Sequence, residues 1–276
     1  MDDKKKLPAS LKHLNGILTT KKHINNIEEY VRVIRMLTDY WELERAWFRG
    51  HSDEDYKLLP GIYRRKYDSQ SEYTPEFERA MEDEYIRRAR MFTSSNLVEQ
   101  ERWHWYQLMQ HHGLPTRLLD WTESALTALY FALSDELKGN AAIWVLDPFK
   151  FNEFTTDNVC VYYTDPTIQD ASEDAISSNY VPSRVAMPEY PIAVYPAHSI
   201  PRVALQKGCF TVHGRGKQPI EELFQSSSNP KLAKIVVNGT KAVSIKTDLK
   251  ILGLTHTTLF PDLDGLAKEL RWEYQP

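Results

Sequence analysis

Residues 110–122 read Gln110-His111-His112-Gly113-Leu114-Pro115-Thr116-Arg117-Leu118-Leu119-Asp120-Trp121-Thr122. Before them, Glu99 to His112 carries Trp105, Leu108, Met109 and His112 at helical spacing, and Gly113-Leu114-Pro115 ends that helix. After them, Thr122 stands where an N-cap belongs, ahead of the stripe Leu126, Leu129, Tyr130 and Leu133. Gly139-Asn140 then turns the chain into an extended run, Ala141 to Leu146. The stretch therefore reads as a polar, ionisable turn between two helices.

Working outward, Asn25-Asn26 caps a helix bearing Ile27, Tyr30, Val31, Ile34 and Leu37. Ala46-Trp47-Phe48 is a short β-like run stopped by Gly50, which leaves Arg49 at a strand end, where side chains reach clefts. Pro75 opens a charged helix stepped along one side by Phe77, Met81, Tyr85 and Ala89. Residues 1–25 are polar and basic and read as an arm or small accessory element, with the main domain over 26–276. Residues 148–190, rich in Asp, Ser, Thr, Asn and Pro, read as an irregular insertion. Beyond it, extended runs are predicted at 192–195, 202–205, 209–212, 234–237 and 242–245, followed by a final short helix. Helices before and strands after predict an α+β fold, with a helical N-terminal half and a mixed or antiparallel β core.

Hydrophobic residues at 42% and charged residues at 26% are enough for a real core, so disorder is not expected. A net charge of −4 gives no global attraction to nucleic acid, so binding of that kind would need a local basic patch. Cys160 and Cys209 form no Cys-x-x-Cys pair and no His cluster has zinc-like spacing, so no metal is expected. No signal-like start and no run of about 18 apolar residues is present, which predicts a cytoplasmic protein without a membrane partner. Neither Gly-x-Gly-x-x-Gly nor a phosphate loop occurs, so any nucleotide site must be built otherwise.

Arg49 can clamp a phosphate or carboxylate with two parallel hydrogen bonds, or pair with a carboxylate to brace the fold. His111 offers an acid or base near neutral pH, Arg117 and Asp120 are spaced to pair, and Trp121 offers a ring face. A lone histidine more often makes a structural bond, and capping alone explains Thr122. Among 7 Trp, 15 Tyr and 10 Phe, some rings could stack on bases, but most large rings are core. Gln206 can hydrogen-bond a ribose or amide but carries no charge; as an outward strand residue it needs no function. Cys209 reads as a small buried strand residue.

Trp47-Phe48-Arg49-Gly50, Leu58-Leu59-Pro60 to Arg64, Gln110 to Thr122 with Ala128-Leu129-Tyr130-Phe131-Ala132, Arg202 to Thr211, and Phe260-Pro261-Asp262-Leu263-Asp264-Gly265 together resemble the FRG domain family. The resemblance spans roughly residues 28–270, with its blocks in the family's order. It implies a remote similarity to ADP-ribosyltransferases and their β core: an Arg at a first-strand end, a Ser/Thr motif leading into a helix, then a late strand carrying Glu. Arg49 matches the first, Asp120-Trp121-Thr122 with Ala128 and Phe131-Ala132 the second, and Gln206 the third.

What the resemblance implies is an NAD-dependent mono-ADP-ribosyltransferase of bacterial toxin or phage-defence type, acting on nucleic acid such as RNA or on protein, and held in check by an antitoxin or similar partner. NAD is then a substrate bound by Arg49, Arg117, Trp121 and Thr122, while Arg49, Thr122, His111 and Gln206 form the catalytic set. Gln206 in place of Glu keeps a ribose hydrogen bond and loses the charge. Either His111 supplies the base, a carboxylate elsewhere does, or nucleotide binds without turnover. A non-catalytic nucleotide- or nucleic-acid-binding module, and a hydrolase or nuclease using His111 or His112, stand as alternatives.

Overall fold

The computed structural model describes residues 6–64, 74–92, 102–134, 137–165, 179–180, 187–197, 201–226 and 231–274. Among these, nine strands form one mixed sheet: β1 (Leu11–Leu14), β2 (Ile17–Thr20), β3 (Trp47–His51), β4 (Leu118–Thr122), β5 (Ala141–Leu146), β6 (Tyr162–Tyr163), β7 (Ile192–Tyr195), β8 (Gly208–Val212) and β9 (Leu232–Val237). Their order is β1-β2-β9-β5-β3-β4-β8-β7-β6. Only β2/β9 and β6/β7 pair in parallel. The fold is α+β with helical elements in the N-terminal half and a mixed β core, as predicted, but helices continue through the C-terminal half as well.

β3 pairs with β5 along its whole length, from Trp47↔Leu146 to His51↔Ala142, and β4 pairs with β8 from Leu118↔Val212 to Thr122↔Gly208. Between them, β3 and β4 meet only at Phe48↔Thr122. The sheet is thus two half-sheets joined at one register pair and splayed beyond it.

Helix α1 (Ile27–Trp41) is capped by Asn26, whose side chain accepts from Glu29 N at 2.8 Å. It buries Tyr30, Val33, Leu37 and Trp41, whereas Val31, expected inward, is exposed. Helix α2 (Pro75–Ala89) is capped by Thr74 and buries Glu78, Glu82 and Ala89, while Phe77 points out. Met81, Tyr85 and Ala89 of the predicted apolar face do pack inward, so only Phe77 departs from it, and Glu78 and Glu82 are buried beside them through ionic partners. Helix α3 (Arg102–His111) buries Trp103, Tyr106 and Met109 against Leu118, Phe210 and Val212. The first part of the helix expected from Glu99 lies outside the described residues.

Helix α4 (Ala125–Ser134) lies over β3 and β5, with Ala128, Leu129, Ala132 and Leu133 packed on Phe48, Ile143 and Val145. The approach is close enough that a Cβ on Gly50 would collide with the backbone of Ala128 and stand 2.5 Å from the Ala132 nitrogen. Gly50 does not stop the strand, then. It lies inside β3 and admits the helix.

Four further segments differ from their predicted state. Residues 118–122, expected in a turn between helices, are β4, and every residue but Asp120 is buried. Both faces of this strand are covered, by α3 on one side and by the Trp47, Leu119, Trp121 and Phe151 cluster on the other, so no polar alternation marks it. Residues 202–205, expected extended, lie in the short helix α6 (Pro201–Leu205), and 242–245, also expected extended, open helix α8 (Ala242–Ile251), whose Ile245 and Leu249 bury an i, i+4 pair that a four-residue apolar window cannot distinguish from a strand. Within the predicted irregular stretch 148–190, residues Pro148–Thr156 form helix α5 under an Asp147 cap, and β6 follows; 166–178 and 181–186 lie outside the described residues. Of the opening segment, 11–14 and 17–20 form a hairpin on the sheet edge beside β9. The remaining helices are α7 (Ile220–Leu223), α9 (His256–Leu259) and α10 (Leu263–Tyr274).

Candidate functional site

Where β3 and β4 part, a cleft of about 330 Å³ opens, walled by α3, α4 and α6. Arg49 from β3, His111 from α3, Trp121 and Thr122 from β4 and Gln206 after α6 all line it. Five of the six residues expected at a site thus converge, although they come from four separate regions of the chain.

Arg49 occupies the split. Its Nη1 donates to the Asp120 carbonyl at 2.6 Å, on the strand that β3 no longer reaches, and its Nε donates to His51 Nε2 at 2.9 Å. A guanidinium can only donate, so His51 accepts through Nε2 and is neutral; burial and the nearby Arg49 and Arg64 charges push its pKa down to about 2. With its side chain only 15% exposed, Arg49 has its own pKa lowered by burial to about 10, with Asp120 acting in the opposite direction, and it stays a cation at neutral pH.

Asp120 is the carboxylate of the cleft. One of its oxygens, Oδ2, lies 3.7 Å from Arg49 Nη1 and accepts from Gln110 Nε2 at 2.9 Å; Gln110 in turn accepts from Thr116 Oγ1 at 2.6 Å. Spacing along the chain pairs Asp120 with Arg117, but the fold does not. Instead Asp120 faces the cleft and Arg49, while Arg117 turns into the core and forms an ion pair with Glu78 and hydrogen bonds to the carbonyls of His213 and Tyr180. Arg117 does not line the cleft, so its expected place among the NAD-binding residues is corrected.

Trp121 reaches the cleft only as part of the strand wall. Its ring is 3% exposed, its Nε1 donates to Thr211 Oγ1 at 3.0 Å, and it packs with Trp47 and Leu119, so the ring face expected for stacking is core. Thr122 Oγ1 donates to the Gln206 carbonyl at 2.6 Å and accepts from Ser124 N at 3.0 Å. The α4 cap is Ser124, which accepts from Thr127 N, and Thr122 instead ties β4 to the turn before β8. Gln206 sits in that turn and not on a strand; its side-chain amide donates to the Leu259 carbonyl at 3.0 Å.

His111 ends α3 half-buried, its pKa lowered by burial and by the Arg202 and His112 charges, which favours the neutral, proton-accepting imidazole. Arg202 has no sequence signal beyond opening the Arg202–Thr211 block. It forms the far wall of the cleft, its guanidinium 4.0 Å from the Phe260 ring centre. Gln110, Phe131 and Arg202 carry no separate signal of a site role in the sequence, whereas Asp120 does, as a charged side chain in a largely apolar run, although the spacing directs it to Arg117 and not to the cleft. Chemically the cleft offers two guanidinium ions, a neutral histidine, one carboxylate and hydrogen-bonding amides.

Residues 44–141 match the FRG domain family. The FRG segment carries β3, α2, α3, β4 and α4, and therefore Arg49, His111, Asp120 and Thr122; Arg202 and Gln206 come from beyond it. No curated protein and no solved structure matches the chain. Among the described residues, no group of three or more His, Cys, Asp or Glu side chains could hold a metal ion, and no helix is long and apolar enough to cross a membrane.

Proposed function

We propose that this protein, whose residues 44–141 match the FRG domain, is an NAD-dependent mono-ADP-ribosyltransferase acting on a macromolecule. The observation that carries the reading is the splayed β3/β4 seam, which gathers Arg49, Thr122, Gln206 and His111 about one cleft. Two cationic side chains, Arg49 and Arg202, flank it and suit the two negative phosphates of NAD.

In the transfer, the bond from ribose C1′ to the nicotinamide nitrogen breaks, and its electron pair leaves with nicotinamide, which departs neutral. C1′ takes on oxocarbenium character until a lone pair from an acceptor oxygen or nitrogen forms the new bond. The acceptor's proton passes to His111 or Asp120, the proton-accepting groups on the cleft wall. Stabilising the developing positive charge falls to Asp120, because Gln206 has no charge and its amide is turned to Leu259. A cytoplasmic toxin or phage-defence role, with a neutralising partner, accompanies this reading.

Incubation with labelled NAD and, separately, protein lysate, RNA or DNA tests it. Label on one polymer with nicotinamide release, both lost in Arg49→Ala, is expected. Nucleotide bound without nicotinamide release would replace the transferase with a binding module.

A further inference from the structure

Across the wall formed by Phe131 and Arg202 lies a second cavity, of about 530 Å³, between α4, α8, α9 and α10. Four cations line it, Arg202, Lys246, Lys250 and Lys268, against one carboxylate, Glu269. Glu269 is itself engaged, accepting from Thr257 N at 2.7 Å, and Lys250 pairs with Glu273. On a chain of net charge −4 this is a local concentration of positive charge and not a general property of the surface.

Flat rings alternate with these cations. His256 stacks on Phe260 at 4.3 Å and 12°, Arg202 lies over the same ring, and Trp272, 43% exposed, has the Lys250 ammonium 5.5 Å from its ring centre. Cations alone would suit any anionic polymer. Cations beside an accessible ring, Trp272, suit one that carries both phosphates and planar bases. The cavity is concave, so a base must leave its stack to enter, which favours single strands over duplex.

We propose that this cavity binds single-stranded nucleic acid. Its further role, presenting that strand across the Phe131–Arg202 wall as the acceptor for ADP-ribose, rests on the transferase reading; the binding itself does not.

The test uses the full chain without NAD and follows fluorescence anisotropy of labelled single-stranded RNA and DNA oligonucleotides over a range of salt. Lys246→Glu with Lys268→Glu is expected to weaken binding at least ~10-fold and to reduce the log–log salt slope by about 1.4, from roughly 0.7 per phosphate contact on a single strand. Trp272→Ala is expected to weaken it about tenfold through lost stacking while leaving that slope in place. Lys12→Glu, at an exposed position of β1, leaves binding unchanged. No oligonucleotide binding, binding unaffected by the cavity variants, equal preference for duplex, or displacement by polyglutamate that ignores Trp272→Ala would each overturn the proposal. Nicotinamide release is not part of this assay, so failure of the transferase reading leaves its outcome intact, and the reverse also holds.

Discussion

Arg117 and Glu78 form an ion pair sealed from solvent, Nε to Oε2 at 2.8 Å with both side chains 0% exposed, and it ties α2 to the start of β4. Tyr106 joins them, its hydroxyl donating to Glu78 and accepting from the Arg117 backbone N–H at 2.7 Å. A buried pair gains little over an apolar substitute but is costly to break on one side. Arg117→Ala should therefore destabilise the fold by about 3–5 kcal/mol, whereas a double change to Arg117→Met with Glu78→Leu should recover most of that loss. Urea unfolding of the wild type and the two variants decides it, and recovery in the double variant separates a structural arginine from a ligand-binding one.

Gly50 is the point where α4 touches β3. Gly50→Ala places a methyl group against the backbone of Ala128 and Ala132, which cannot rotate away as a side chain would. A loss of roughly 2–3 kcal/mol is expected from overpacking, together with displacement of Phe131 from the cleft wall. Thermal melting gives the first quantity, and weaker nucleotide binding at a temperature where the variant is folded gives the second.

Stability should depend on pH through groups of opposite sign. Burial drives His51 down to about 2 and His213 to about 3, both from 6.5. Their contribution is complete above pH 6.5 and is lost as pH falls toward those folded-state values, since the unfolded chain binds the protons first. Burial raises Glu82 from 4.5 to about 7, against the pull of Arg102 at 2.9 Å. Its contribution is complete below 4.5 and is lost as pH rises through 7. Glu82→Gln should therefore gain on the wild type between pH 4.5 and 8, by on the order of 2 kcal/mol. Urea midpoints measured for both proteins at several pH values should diverge in that direction, and parallel curves would remove Glu82 from the account.

Gln206→Glu restores the residue type that the transferase pattern carries, yet here it should not raise activity. The amide donates to the Leu259 carbonyl, and a carboxylate would set two acceptors facing each other. The turn held by Thr122 and Gln206 should loosen at a cost of about 1–3 kcal/mol, easing at low pH, where a protonated carboxyl can donate. Melting temperature against pH, with nicotinamide release measured beside it, checks both parts.

Much of the local structure was already legible in the sequence. Asn26 could be read as a helix cap and Pro75 as a helix start because both signals act between near neighbours, and Ala141 to Leu146 could be read as a strand because its apolar run lies between clear turn signals. Arg49 could be placed at a cleft from a predicted strand end at Gly50; the strand in fact runs on to His51, and Arg49 reaches the cleft because β3 and β4 part beside it. The mixed α+β class followed from the order of such elements.

Only the tertiary structure decided which of two neighbouring charges would be buried. Arg117 and Asp120 lie three residues apart, but Arg117 meets Glu78, 39 positions away, and Asp120 meets Arg49, 71 positions away. Neither partner leaves a trace in local periodicity. The same holds for β4, whose two covered faces erase the alternation that announces a strand, and for Arg202, which reaches the cleft only because β8 pairs beside β4. Short-range preferences are written in neighbouring residues; the identity of a long-range partner is set by register and packing, and these arise when the sheet assembles.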